Sequence, residues 1–329
     1  MAYSTQIIQS AARTLAERNA ARQAQYTQHL QEAYARAPRL KQIDTQLRHN
    51  MASAAQAAFE SGADAQETMH AAMEKGLALQ SERKTILESE FAPGFLDETP
   101  VCTRCGGSGY VGSSMCTCLQ ALCLEEQKKQ LEMLPAETRS FDAFRLDCYP
   151  DTVDSDLGVS PRTLMGITLQ SAKQYARDFT PGCGNLLFVG GTGLGKTYLS
   201  GCIAHAVAQH GCGVVYECAP RLFANLEKDR FSPTEESRIQ VSQYSDCDLL
   251  IIDDLGTEMP GNFVTAALYA LVNQRLLEKK AMVISTNLNA DEIAVRYSPQ
   301  IASRLQGEFR TLFFAGSDIR VMKNQGAQK

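Results

Sequence analysis

Eight consecutive residues of this chain have the types and spacing needed to bind the phosphates of a nucleotide. They fit the pattern G-x-x-x-x-G-K-S/T and are Gly190, Gly191, Thr192, Gly193, Leu194, Gly195, Lys196 and Thr197. Glycines permit a tight loop whose N–H groups point at phosphate oxygens, and a helix beginning near Gly195 directs its positive dipole end at the same anion. Lys196 can reach the β- and γ-phosphates, and the Thr197 hydroxyl can coordinate Mg²⁺. A glycine-rich turn without a ligand is the alternative, which the strand and helix predicted on either side disfavour.

Two adjacent carboxylates end an apolar segment further along the chain. Residues 248–254, DLLIIDD, predict a buried strand that ends in Asp253 and Asp254. In nucleoside triphosphatases with this loop, such a strand is expected beside the strand of the loop, and its first terminal acid holds Mg²⁺. We therefore predict that Asp253 coordinates Mg²⁺ and that Asp254 polarises the attacking water, with Glu258 as the alternative to Asp254. A strand followed by a solvated acidic turn is the plainer interpretation of this motif taken alone.

A third apolar segment ends in a polar pair. Residues 280–287, KAMVISTN, predict a buried strand that ends in Thr286 and Asn287. In ATPases of the AAA+ type, a polar residue at the tip of the strand next to the acidic strand positions the lytic water, and Asn287 fits this sensor 1 role. The alternative is that Asn287 or Asn289 caps the helix beginning near Asp291, and we expect Asn289 to do so.

These motifs require a framework of alternating strands and helices. The periodicity predicts strands at 185–189, 213–217 and 311–314 in addition to the two described above, with helices at 164–179, 198–210 and 263–279. Alternation of this kind implies a parallel sheet with helices on both faces. The nucleotide then binds at the carboxyl ends of the strands.

Four cysteines lie close together before this framework. Cys102 and Cys105 form a C-x-x-C pair, and a glycine-rich hairpin separates them from Cys116 and Cys118. Four thiolates at such spacing can bind one structural Zn²⁺ tetrahedrally, and Cys123 is an alternative fourth ligand. Redox chemistry at the first pair is the competing interpretation, but it needs a strand–helix context that this segment lacks.

The first part of the chain is predicted to be helical. Residues 1–92 are rich in Ala, Gln, Glu and Arg, and Pro38 and Gly62 divide them into about three helices. Thin apolar stripes fit either a plain helical bundle or helices that dock on a partner; they comprise Leu40, Ile43, Leu47, Met51, Met69, Met73 and Leu77. The predicted domains are a helical partner-binding region (1–92), a zinc-binding segment (101–125), a connector helix (126–138) and the ATPase domain (139–329).

Composition restricts the class of protein. The chain has 329 residues and a net charge of −5, which argues against a general polyanion binder. The sequence contains no apolar run of membrane-spanning length, and its first residues lack the features of a signal peptide. We therefore expect a soluble cytoplasmic protein whose cysteines are reduced thiols or metal ligands.

The sequence from about Phe141 to Arg320 resembles bacterial replicative-helicase loaders of the DnaC/DnaI type and the related transposition ATPase IstB. The matching motifs are FDAF (141–144), the phosphate loop (190–197), LLIIDDLGTE (249–258), ISTNL (284–288), IASRLQGE (301–308) and GSDIR (316–320). The first half is similar to DnaI in layout only, with a helical region followed by a cysteine cluster.

The resemblance implies roles for two arginines. Arg304 lies in the motif that presents an arginine finger to the nucleotide of a neighbouring subunit, and Arg320 occupies the sensor 2 position, which contacts the nucleotide in cis. Gln300 stands where relatives often carry a second Arg, and Asp254 replaces the usual Glu, which implies slow hydrolysis. About forty residues follow Asn287, too few for the helical lid of larger AAA+ proteins.

The resemblance also implies a function. ATP and Mg²⁺ would bind between self-associating protomers and control loading of a DnaB-type hexameric helicase onto single-stranded DNA, with the helical and zinc segments binding the helicase. Lys228, Arg230 and Phe231 are candidates for DNA contact, since a cation beside an aromatic ring suits strand binding; a solvated helix end is the alternative. An IstB-like transposition helper and an ATP-binding adaptor with little turnover are the alternative functions.

Overall fold

A computed structural model describes residues 3–57, 63–132, 134–135, 138, 140–156 and 158–319. They form two compact units. One is Thr14–Cys116, and the other comprises the described parts of Met1–Arg13 and Thr117–Lys329. The finer division into helical region, zinc segment, connector and ATPase domain stays a prediction.

The helical region contains α1 (Thr5–Arg36), α2 (Pro38–Ala57) and α3 (Ala63–Glu90). Pro38 is the first residue of α2, where its missing N–H costs no helical hydrogen bond. The predicted break at Gly62 lies outside the described residues. Three helices with a division at Pro38 are thus confirmed.

Of the two predicted apolar stripes, the first is buried at its start and the second is exposed. Leu40 and Ile43 are fully buried, whereas Met51 is 72% exposed and Met73 is 68% exposed. Asn50 donates a hydrogen bond to the carbonyl of Ala72, so the two helices are in contact beside the exposed methionines. Contact between α2 and α3 therefore leaves Met51 of the first stripe and Met73 of the second exposed.

The cysteine segment contains a short antiparallel hairpin, β1 (Tyr110–Val111) and β2 (Ser114–Met115), followed by α4 (Thr117–Leu131). The predicted connector (126–138) overlaps the second half of α4, which begins at Thr117 and ends at Leu131. Its buried Gln127 pairs with the backbone of Cys212 and Val214, which fastens α4 to the start of the second strand of the large sheet.

The large sheet is parallel, as predicted. Its strands are β3 (Asn185–Val189), β4 (Val214–Cys218), β5 (Leu249–Leu255), β6 (Ala281–Thr286) and β7 (Phe309–Phe313), in the order β4-β5-β6-β3-β7. The helices around it are α5 (Pro161–Arg177), α6 (Lys196–Gln209), α7 (Ala219–Phe231), α8 (Glu235–Asp246), α9 (Asn262–Leu277), α10 (Ala290–Arg296) and α11 (Pro299–Glu308).

The two faces of the sheet are covered by separate cores. Leu249 and Ile251 of β5 pack into the core shared with α5 and α6, whereas Leu250 and Ile252 pack into the core shared with α7, α9 and α11. Successive residues of a strand point to opposite faces, so a strand covered on both sides must be apolar throughout. This explains why the strands before the polar motifs are continuous apolar runs.

One expectation about strand order is wrong. The acidic strand β5 does not lie beside the loop strand β3, because β6 pairs with both of them. The reason is topological: β6 is the fourth strand of this sheet along the chain, and it lies between the first, β3, and the third, β5. The tip of β6, which carries Asn287, therefore lies between the phosphate loop and the acidic pair.

Candidate nucleotide-binding site

Backbone geometry explains the glycines of the phosphate loop. The N–H of Gly190 donates to the carbonyl of Thr286, and a Cβ on Gly190 would lie 2.4 Å from the carbonyl oxygen of Phe314. Gly193 and Gly195 have φ angles of 72° and 93°, in the left-handed region that side chains disfavour. Gly195 is the N-cap of α6, so the loop leads directly into a helix N-terminus, as predicted.

The side chain of Lys196 lies within this loop. Lys196 is only 5% exposed, and its ammonium donates hydrogen bonds to the carbonyls of Gly190, at 2.7 Å, and Gly191, at 2.6 Å. A buried ammonium needs such partners, because desolvation without them is costly. The phosphates of a nucleotide can replace these carbonyls as partners of the ammonium. The charge of Lys196 therefore lies at the loop, as the sequence pattern predicts.

A cavity of about 300 Å³ opens beside the loop. One wall is formed by Thr192–Thr197, and the acidic strand contributes Asp254. Residues from the segment before α5 form a second wall, and a hydrogen bond from the Tyr149 hydroxyl to the carbonyl of Leu194 joins this segment to the loop. Sequence reasoning did not assign this wall, which consists of Pro135, Thr138, Ala143, Phe144, Arg145, Cys148 and Tyr149.

The acidic pair lies on an irregularity of β5. Ile252 pairs with Ile284 and Leu255 with Thr286, so β5 uses one more residue than β6 over the same span. Such a bulge redirects side chains and is common beside active sites. Asp254 has a φ of 57°, a left-handed conformation that Asp tolerates better than most residues. The outcome is a buried Asp253 next to an Asp254 that lines the cavity.

Both carboxylate oxygens of Asp253 accept hydrogen bonds from hydroxyl groups on the neighbouring strands. Tyr216 of β4 donates to Oδ2 at 2.7 Å, and Ser285 of β6 donates to Oδ1 at 2.5 Å. Burial, together with the charge of Asp253, raises the pKa of Tyr216 far above its usual range, so this hydroxyl remains a donor. Sequence reasoning missed both residues, although each is a hydroxyl side chain within a predicted strand.

Glu258, the alternative to Asp254, has a different environment. Its side chain is 3% exposed and accepts hydrogen bonds from the Gly256 N–H and the Tyr297 hydroxyl, and it forms an ion pair with Arg296. These contacts hold the loop after β5 against α10. Glu258 is not among the described residues that line the cavity.

The two asparagines after β6 have different contacts. Asn289 is the N-cap of α10, and its side chain accepts from the N–H of Glu292, so the predicted capping role is confirmed. Asn287 is exposed, and its side-chain oxygen lies against Gly256 of the loop that follows the acidic pair. Its water-positioning role stays a prediction.

The two arginines implied by the resemblance have different positions. Arg304 is exposed on α11, and its guanidinium carbon lies 5.7 Å from the ring centroid of Tyr269. Hydrogen bonds from Asn273 and Arg304 lower the pKa of Tyr269. Arg304 is not among the described residues that line the cavity of its own chain. Arg320 lies outside the described residues, although Ile319 just before it donates to the carbonyl of Gly193.

The candidate DNA contacts lie at the end of α7. Lys228 and Arg230 are in its last turn. Phe231 is 69% exposed, and the Arg230 guanidinium lies 5.9 Å from its ring centroid and 5.6 Å from that of Phe263 at the start of α9. The structure thus adds Phe263 to the predicted set and forms a surface of two aromatic rings and one cation.

The four predicted metal-binding thiols are close together. The sulfurs of Cys102, Cys105, Cys116 and Cys118 all lie within 4.8 Å of one another. Cys102 and Cys116 sulfurs are 3.8 Å apart, the separation of two ligands about 2.3 Å from a tetrahedral Zn²⁺. This donor set and spacing fit a structural zinc ion.

Cys123, the alternative fourth ligand, does not belong to this cluster. It is fully buried on α4, and burial, with a smaller contribution from Glu126, raises the pKa of its thiol to about 11. The four sulfurs that lie within 4.8 Å of one another include that of Cys118 and not that of Cys123. Cys118 is therefore the better fourth ligand.

Removing two of the thiols should remove the metal. We expect the protein to contain about one zinc per chain and the Cys102→Ser/Cys105→Ser variant to contain none, because two thiolates cannot hold a structural site. The variant should lose the local fold of the cysteine segment but retain ATP binding, which depends on other residues. Elemental analysis measures the metal, and Cys183→Ser, at an exposed cysteine outside the cluster, is the control. A metal-free wild-type protein prepared under reducing conditions would contradict the assignment.

The described helices include none with the length and apolar composition needed to cross a membrane.

Comparison with known proteins identifies relatives of the ATPase region. Residues 169–300 match the family model described as IstB-like ATP binding protein. The replicative helicase loader DnaC of Escherichia coli (strain K12) is 25% identical over 139 residues, which are 42% of this chain and 56% of that protein. DnaC of Buchnera aphidicola subsp. Schizaphis graminum is 28% identical over 125 residues, which are 37% of this chain and 50% of that protein.

Among solved structures, a crystal structure of the DnaC helicase loader matches with 19% identity and a TM-score of 0.45, covering 54% of this chain and 97% of that one. The chain spans about half the length of the curated relatives that it matches. The family model and the curated relatives confirm the resemblance to DnaC-type loaders and IstB.

Proposed function

We propose that this protein is a Mg²⁺-dependent ATPase that binds a hexameric replicative DNA helicase and loads it onto single-stranded DNA. One observation supports the proposal most strongly. A complete phosphate loop and an acidic strand end meet at one cavity, within the region whose curated relatives are replicative helicase loaders.

The residues of the phosphate loop and of the two strand ends have complementary tasks in this proposal. Lys196 and the N–H groups of the loop bind the β- and γ-phosphates, and α6 adds its positive dipole end. Thr197 and Asp253 supply oxygen ligands for Mg²⁺, a hard cation that prefers them, and bound Mg²⁺ neutralises charge on the phosphates. Asp254 accepts a proton from the attacking water, which Asn287 helps to orient.

Arg304 acts in trans in this proposal. Its exposed position on α11 allows it to reach the γ-phosphate bound to a neighbouring protomer, where a cation stabilises the charge of the transferred group. A head-to-tail contact of this kind is heterologous and can extend over several subunits. ATP would therefore favour self-association, and hydrolysis would weaken it.

The helicase would bind through residues 1–92 and the zinc segment. Exposed apolar side chains at the end of the α2–α3 pair support this role, because such side chains gain free energy when a partner covers them; they are Met51, Met69, Met73 and Leu77. Leu40 and Ile43, at the start of the first stripe, are instead buried within the chain.

Single-stranded DNA would stack on the aromatic rings beside Arg230. Because a stacked base contributes about 1–3 kcal/mol, Phe231→Ala should weaken binding to a labelled oligonucleotide by roughly 5- to 150-fold. Fluorescence anisotropy with ATP and Mg²⁺ measures the effect. Phe313→Ala, at another exposed phenylalanine, is the control. Unchanged DNA affinity in Phe231→Ala would remove this surface from the proposal.

The test of the proposed partner compares two purified candidates. The full chain, immobilised, is incubated with a DnaB-type helicase or with an IS21-type transposase, each with ATP and with ADP. We expect ATP-dependent retention of the helicase and none of the transposase. Retention of the transposase alone would favour the IstB-like alternative, and binding of ATP without turnover under any condition would favour the adaptor.

A further inference from the structure

Two hydroxyl groups enclose the carboxylate that we expect to hold Mg²⁺. Asp253 lies on β5, and its neighbours β4 and β6 each contribute one hydroxyl, from Tyr216 and Ser285. Asp253 is 4% exposed, so its carboxylate has little access to water as an alternative hydrogen-bond donor. Its orientation therefore depends on these two side chains.

Ser285 has a second contact that connects it to Asp254. While its hydroxyl donates to the Asp253 carboxylate, its oxygen accepts a hydrogen bond from the N–H of Asp254 at 2.9 Å. This N–H lies in the bulge, where the regular pairing between β5 and β6 is interrupted. A partly buried N–H without a partner is unfavourable, and the serine side chain supplies the acceptor that the interrupted pairing does not.

The same contact stabilises an unfavourable backbone conformation. Asp254 has a φ of 57°, which costs free energy for any residue other than glycine and persists only where its surroundings enforce it. Ser285 accepts from the N–H of Asp254 itself. The neighbouring Thr286 hydroxyl donates to the carbonyl of Leu255, the next residue of β5, at 2.7 Å.

We propose that Tyr216 and Ser285 are positioning residues that orient Asp253 for Mg²⁺, and that Ser285 also fixes the bulge from which Asp254 projects into the cavity. The inference rests on the proposed ATPase function and assigns the residues on which its metal site depends. Groups that hydrogen-bond to a metal ligand typically change metal affinity 10- to 100-fold when they are removed. The effect on nucleotide binding without metal should be small, because neither hydroxyl belongs to the phosphate loop.

The test separates metal binding from nucleotide binding in the full-length protein. Mn²⁺, a spectroscopic substitute for Mg²⁺, is titrated in the presence of ATP-γ-S and followed by electron paramagnetic resonance. We expect Ser285→Ala and Tyr216→Phe each to raise the Mn²⁺ dissociation constant at least about tenfold. ATP affinity in EDTA should stay within about twofold of wild type, and Ser285→Thr, which keeps the hydroxyl, should restore Mn²⁺ binding.

Matched variants control for the loss of a buried hydroxyl as such. Ser200→Ala removes a buried serine oxygen that has no hydrogen-bond partner in the described part of the chain, and Tyr244→Phe removes a buried tyrosine hydroxyl that donates to Glu217. Both should bind Mn²⁺ as wild type does. Melting temperatures of all variants show whether the fold is retained.

Two results would overturn the inference and leave the proposed function standing. Wild-type Mn²⁺ affinity in both Ser285→Ala and Tyr216→Phe would show that the hydroxyls do not position Asp253. Tighter Mn²⁺ binding in Tyr216→Phe would show that the tyrosine competes with the metal. If wild-type protein itself showed no nucleotide-dependent Mn²⁺ binding, the proposed ATPase function would fail together with the inference.

Discussion

Arg304→Ala is expected to bind ATP with nearly normal affinity but to lose hydrolysis by about 10³-fold or more and to lose ATP-dependent self-association on single-stranded DNA. The magnitude is that of a cation supplied in trans to the transferred phosphoryl group. Nearly normal affinity is expected because Arg304 does not line the cavity of its own chain. Steady-state phosphate release and analytical ultracentrifugation measure the two effects, and Arg238→Ala, at another exposed arginine, is the control.

Mixing two inactive variants tests whether Arg304 acts in trans. Lys196→Ala should not bind ATP, since the phosphates lose their main cation, but it retains Arg304. An interface between the intact ATP site of Arg304→Ala and the intact arginine of Lys196→Ala should recover part of the activity, as a heterologous interface allows. An inactive mixture in which mixed assemblies demonstrably form would contradict the trans role and favour a structural role for Arg304.

Asp254→Asn is expected to bind ATP and Mg²⁺ but to hydrolyse ATP about 10²- to 10⁴-fold more slowly, the range for loss of a general base. Asparagine is a close replacement here, because it tolerates the left-handed backbone of residue 254 as aspartate does. The variant therefore removes the charge and leaves the bulge intact. A phosphate-release assay at saturating ATP measures the rate.

Glu258→Gln is the matched control for Asp254→Asn. Glu258 supports the loop after β5 through Tyr297 and Arg296, so its replacement should lower stability more than it changes the rate of the folded protein. Wild-type turnover in Asp254→Asn, with a large loss in Glu258→Gln, would transfer the catalytic role to Glu258.

The features that the sequence predicted are those in which a few consecutive residues carry the information. The phosphate loop is one, because its glycines are required by backbone geometry within the loop itself. The cysteine cluster is another, since all four thiols lie within a short segment. The parallel sheet was predictable from apolar runs that are buried on both faces.

Features that depend on contacts distant in sequence were not predicted. The order of the strands places β6 between β3 and β5, and only the assembled sheet shows it. Tyr216 reaches Asp253 because β4 and β5 pair, although they are separated in the chain by two helices. The bulge at Asp254 was also missed, since no glycine marks the left-handed residue there.

The most direct test of the account is a loading assay on closed circular single-stranded DNA. A purified DnaB-type helicase is incubated with the circle and ATP, with wild-type protein, with Lys196→Ala or with no loader, and helicase retained on the circle is measured after gel filtration. We predict that wild-type protein increases retained hexamer several-fold over helicase alone and that Lys196→Ala does not. Equal retention with wild-type protein, with Lys196→Ala and without loader, for a helicase that is active on linear DNA, would contradict the proposed function.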